Sequence, residues 1–144
     1  MKNSFRFLSL AAINVILAST IVYAHNSPAL SAGEAQLKAG QYQEAIENFT
    51  KAIESSPKLG SDDLSKAYYN RGVSELAFGS TESAKADFRK SIEVDPTPID
   101  AQGFKIRGLA KTALGDIQGA QSDFKRAGLS VDSAAEQEIT KNQG

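Results

Sequence analysis

The chain has 144 residues, with 16 lysines and arginines against 17 aspartates and glutamates, one histidine and no cysteine. A near-neutral balance without a basic stripe or a long acidic run argues against nucleic acid and against an anionic membrane surface as partners. The lack of cysteine excludes a disulfide framework, and this length holds one modest domain rather than several.

The first 24 residues read unlike the rest. Lys2 and Arg6 form a short basic region, and Phe7 to Val22 then runs apolar, interrupted by Ser9, Asn14, Ser19 and Thr20. Val22-Tyr23-Ala24 follows, with valine at −3 and alanine at −1 of a cut before His25. That is the layout of a secretory signal peptide. The apolar run of 16 residues falls short of the roughly 20 that span a bilayer, so cleavage is the preferred reading and an uncleaved signal anchor the alternative. Cleavage leaves 120 residues with 14 basic against 17 acidic side chains. An exported protein without cysteine fits a bacterial periplasm or a lumen-like compartment; retention of the segment would make it membrane-anchored instead. His25 would then be the first mature residue, with no second histidine or cysteine to share a metal.

Beyond this segment one block occurs three times. Gly40, Ala45, Phe49, Lys51, Ala52 and Pro57 recur at an offset of 39 as Gly79, Ala84, Phe88, Lys90, Ser91 and Pro96. Arg71, Gly72, Gly79, Ala84, Asp87 and Phe88 recur at an offset of 36 as Arg107, Gly108, Gly115, Ala120, Asp123 and Phe124. A period in the thirties marks stacked helical units that cannot bury their apolar faces alone.

Inside the middle unit, Tyr68, Gly72, Leu76 and Gly79 fall at helical spacing, with Glu75 a polar exception. A second amphipathic helix follows through Ala84, Phe88, Ile92 and Val94. Gly79 breaks the chain between them, and the Ser80 hydroxyl is expected to cap the second helix. Asp95-Pro96 stops it. Gly72, in a helix interior, forgoes about 1 kcal/mol against alanine, so it predicts a close approach of paired helices, with Phe88 filling the gap between one hairpin and the next. Asp62-Asp63 read as cap and dipole residues, because neighbouring helical side chains diverge by about 100° and acids favour a helix N-terminus. Asn48-Phe49-Thr50 matches a glycosylation sequon but falls inside a packed helix.

The stretch Ala67-Tyr-Tyr-Asn-Arg-Gly72 with Gly79, Ala84, Phe88 and Pro96 resembles the tetratricopeptide repeat. So do Gly40 to Ile46 with Phe49 to Ala52 and Pro57, and Phe104 to Gly108 with Gly115-Asp116, Ala120, Phe124 and Ala127. The resemblance implies an all-α fold: a right-handed superhelical solenoid of three helix hairpins at about 26–59, 65–98 and 101–134, preceded by the hydrophobic signal segment. Residues 133–144 would form a short capping segment or tail, sparse enough in apolar residues that the terminal face invites self-association. Ala29 stands where the family usually has an aromatic and Asp132 where it has proline, which implies outer helices frayed or shifted by a few residues.

The resemblance also implies where a partner would sit. The first helix of each hairpin lines a concave groove, whose inward residues here are Lys66, Tyr69, Asn70 and Val73 in the second repeat and Gln102, Lys105, Ile106 and Leu109 in the third. The first repeat offers Ser27, Leu30, Ser31 and Glu34, with less aromatic or cationic character, so the groove is expected over the second and third repeats. Tyr69 would be its anchor, flanked by Lys66 and Lys105. Val73 and Leu109 either face the groove or pack between hairpins. The five positions that clamp chaperone C-termini in one branch of the family hold Leu30, Glu34, Asn70, Gln102 and Ile106, and Asn70 alone fits. Arg71 and Arg107 occupy a position usually held by leucine. Their guanidinium forks could bind a ligand carboxylate, but the favoured reading lets the stems cover apolar surface while the heads reach water or Glu75 and the neighbours of Lys111.

No serine has a partner base and no glycine-rich loop has the lysine of a phosphate site. The reading is therefore a non-catalytic module with no cofactor and no metal, binding a peptide or helix of a protein partner. The alternatives are a membrane-tethered assembly factor and, remotely, an enzyme.

Overall fold

The computed structural model describes residues 27–55 and 58–130. The signal segment, His25, Pro57 and the capping segment 133–144 lie outside the described residues. Those residues contain six helices and no strand: α1 (Pro28–Lys38), α2 (Tyr42–Glu54), α3 (Ser61–Phe78), α4 (Thr81–Val94), α5 (Ala101–Ala113) and α6 (Ile117–Arg126). None is long and apolar enough to cross a membrane. Each odd helix packs on the even helix after it, and α2 on α3 and α4 on α5 join the hairpins. The odd helices also touch each other, α1 with α3 and α3 with α5. They form one wall of the stack.

The turns inside the hairpins share one device. Gly40, Gly79 and Gly115 all hold positive φ, at 72°, 96° and 85°, a left-handed conformation that closes a helix end without a Cβ penalty. After each, the next amide bonds back across the turn: Gln41 to the Gln36 carbonyl at 2.9 Å, Ser80 to Glu75 at 2.7 Å and Asp116 to Lys111 at 2.9 Å. Helix starts vary more. Ser27 caps α1 through its hydroxyl, Asp100 caps α5 and Asp116 caps α6. The expectation for Ser80 fails: its side chain makes no capping bond, and its own backbone amide is already spent on Glu75. Asp62 and Asp63 lie in the first turn of α3, where the dipole favours them, but the N-cap is Gly60.

The core repeats as well. Phe49, Phe88 and Phe124 lie 0%, 2% and 4% exposed, each against a glycine sixteen residues earlier in its own hairpin. A Cβ built on Gly33, Gly72 or Gly108 would meet that ring at 2.8, 2.8 and 2.7 Å. The glycines therefore make room for the phenylalanine rings. This corrects the expectation for Phe88: its ring first fills the seat at Gly72 within its own pair. From there it reaches Tyr69 at 5.8 Å between centroids and shares a cluster with Ile106 and Ala110 of α5. Helical periodicity from Tyr68 also named the wrong outer edge. Leu76 is 49% exposed, whereas Ser74 is fully buried and donates to the Asn70 carbonyl.

Candidate functional site

The eight residues expected to face inward converge. Lys66, Tyr69, Asn70 and Val73 of α3 line one concavity of about 240 Å3 together with Gln102, Lys105, Ile106 and Leu109 of α5. They fall together because α3 and α5 run side by side in successive hairpins, so equal positions in the repeat stack along the wall. The side chains are not equally available. Tyr69 is 7% exposed and Ile106 4%, so both line the concavity mainly as core side chains, Tyr69 with its ring on Phe88. Val73 and Leu109 do both things weighed for them: each lines the concavity and packs, half-buried, against the second core cluster.

The wall also takes in the first repeat. Glu34, Leu37 and Lys38 of α1 line the same concavity, so the groove is not confined to the second and third repeats. Lys66 Nζ lies 2.9 Å from Glu34 Oε1 and 3.9 Å from Asp63 Oδ1. The lysine meant to flank an aromatic anchor is thus already paired across the wall. Leu37 and Lys38 sit one turn beyond the inward positions carried over by the repeat register. Nothing in sequence spacing gives the tilt that brings them in.

The two arginines in register have a structural use that neither sequence-based expectation names: each pairs with an aspartate of the facing helix. Arg71 Nε and Nη2 donate to Asp87 at 2.6 and 2.9 Å, and Nη1 donates to Thr50 of the preceding hairpin at 3.0 Å. Arg107 repeats the arrangement: Nε donates to Asp123 at 2.8 Å, Nη2 to its other oxygen, and Nη1 to the Pro96 carbonyl of the preceding repeat. Each fork is therefore filled by the chain's own carboxylate and ties a hairpin to the one before it. The Arg71 guanidinium also lies over the Tyr68 ring, 5.5 Å from its centroid, and that of Arg107 over the Phe104 ring at 5.6 Å. The first repeat has Ala32 and Asn48 at the matching positions, and Asn48 instead donates to Gln36 at 2.7 Å. A signal existed: arginine and aspartate recur together, sixteen residues apart, in both later repeats.

One position separates the two ladders. In the third repeat Lys111 Nζ adds a second cation at 2.8 Å from Asp123; in the second repeat the matching residue is Glu75. Burial would raise the Asp123 carboxyl, but hydrogen bonds from Arg107 and Lys111 outweigh it and hold the group below its usual range. Glu75 goes the other way, raised first by burial and then by Asp87, with Arg71 opposing. Its Oε2 is buried and has no hydrogen-bond partner among the described residues. A carboxyl raised on folding adds stability below its unfolded pKa and loses it as pH climbs through the folded value. Glu75→Gln should therefore stabilise the domain at pH 7, and the gain should vanish below about pH 4, where both forms are neutral. Thermal melts at the two pH values test this, and an equal gain at both would show that charge is not the cause.

Among the described residues no group of three or more histidine, aspartate or glutamate side chains is placed to hold a metal. The arrangement can bury side chains of a partner along a wall of parallel helices. A family model described as tetratricopeptide repeat matches residues 30–59 and 65–98. Those segments cover most of the first two hairpins, and α5 and α6 repeat the glycine turn and phenylalanine seat of both and the arginine ladder of the second. With the repeat signature matched twice and its packing present three times, the described hairpins are tetratricopeptide repeats, a class of protein-interaction module.

Proposed function

We propose that the chain is a non-catalytic interaction module or assembly scaffold, holding an extended segment or helix of a protein partner in the groove walled by α1, α3 and α5. The observation that carries this reading is the concavity itself. At about 240 Å3 it is smaller than the roughly 300–1,000 Å3 of small-molecule sites, so it suits a few side chains of a longer ligand. Half-buried Val73 and Leu109 supply an apolar floor, while Asn70 and Gln102 supply hydrogen bonds for register. The hairpins coil as a right-handed superhelix in this reading, and the groove follows its inner side. The protein acts outside the cytoplasm, supported by the basic, apolar and Val-x-Ala pattern of residues 2–24. With that segment retained, the same groove would recruit components at a bilayer.

A photo-crosslinking amino acid tests the face directly. Placed at Gln102 or Lys38 of the full chain in its native compartment, it should trap a partner, whereas placed at Arg89 or Gln121 on the even helices it should not. Adducts from Arg89 and Gln121 alone would move the interface to the outer surface and remove the groove from the function. The mass of the mature N-terminus separates the exported form, beginning at His25, from the anchored one.

A further inference from the structure

The groove described above has a charge unlike the chain around it. Its wall carries Lys38, Lys66 and Lys105 against one carboxylate, Glu34, although acidic residues outnumber basic ones, 17 to 16, in the whole chain. That carboxylate comes from α1 and reaches across to Lys66 Nζ of α3 at 2.9 Å. Asp63, on the same helix as Lys66, stands at 3.9 Å, beyond hydrogen-bond distance. Glu34 thus occupies the place on the lysine that a carboxylate entering the groove would take. Both side chains of the pair stay about a third exposed, at 30% and 32%, and such wet ion pairs are weak and readily exchanged.

Resting on the groove reading, we infer that Glu34 is an internal competitor for Lys66, and that the partner segment carries a carboxylate beside aliphatic side chains and displaces it. The exchange trades one ion pair for another, so it adds little affinity by itself. The aliphatic side chains bind on Val73, Leu109 and Leu37, and a cationic segment is rejected by the three lysines. Charge therefore sets which segments enter, and apolar contact sets how long they stay.

Selection from a random peptide library on the full-length chain provides the probes. Gln102→Trp, at an exposed position of α5, blocks the groove without touching the core, and a melting curve matching the parent verifies that it folds. Peptides rich in aspartate or glutamate next to leucine, isoleucine or valine should be selected, and Gln102→Trp should abolish their binding. Glu34→Gln should bind them about two- to fivefold tighter, the range of a released surface ion pair. Selected peptides that need an open groove but are neutral or basic would overturn the inference while leaving the groove reading in place. Binding that weakens or stays unchanged in Glu34→Gln would overturn it in the same way. Should no peptide prefer the parent over Gln102→Trp, both fail together.

Discussion

Phe88→Ala should lower the unfolding free energy by about 3–5 kcal/mol, the cost of truncating a buried phenylalanine. A domain of this size has about 5–15 kcal/mol in all, so the urea midpoint should fall by a large fraction or the variant should fail to fold. Three observations set the size. The ring is 2% exposed, it sits against Gly72 of its own hairpin, and it touches Tyr69 while sharing a cluster with Ile106 and Ala110 of the next hairpin. Losing it opens one hairpin and the joint between two. Phe78, at 57% exposure, is the control, and Phe78→Ala should shift stability by no more than about 0.5 kcal/mol. The glycine seat gives a second check. Gly72→Ala gains helix propensity yet places its Cβ 2.8 Å from the ring and 3.1 Å from the Ala84 carbonyl, so overpacking should win by about 1–3 kcal/mol. Combined with Phe88→Leu, part of that loss should return. A midpoint unchanged by Phe88→Ala would remove the interlock as the basis of the repeat.

Asp123→Asn should rank close behind. Asp123 is 1% exposed and accepts from Arg107 and Lys111, so its neutralisation leaves two cations partly buried. Breaking a buried ion pair from one side costs about 3–5 kcal/mol. Asp87→Asn, at the matching place in the second repeat, should cost less. It leaves one cation, Arg71, with the carboxylate of Glu75 close enough to influence both. The contrast also depends on pH. A carboxyl held low by its partners, as Asp123 is, adds stability above its unfolded pKa and loses it as pH falls through the folded value. The gap between parent and Asp123→Asn should therefore be full at pH 7 and close as pH drops below about 4. A gap that stays constant with pH would mean the substitution acts through shape alone.

Much of this architecture is legible in the chain, because a repeat writes each requirement more than once. Gly40, Gly79 and Gly115 mark the turns since only glycine adopts a positive φ there freely, and Phe49, Phe88 and Phe124 mark the core since each unit needs one large ring. The eight inward residues follow from the same register, as α3 and α5 place equal positions side by side. What the residues could not convey was how deep each position lies and what it meets across the stack. Tyr69 and Lys66 look alike as groove residues by spacing, yet one is a core ring and the other is already held by Glu34. Arg71 and Arg107 look like surface cations until Asp87 and Asp123 arrive from the facing helix. Local spacing determined the helices, their turns and the faces they share. Burial and charge partners were decided only by the tilt and separation of whole helices, since those distances depend on every side chain between them.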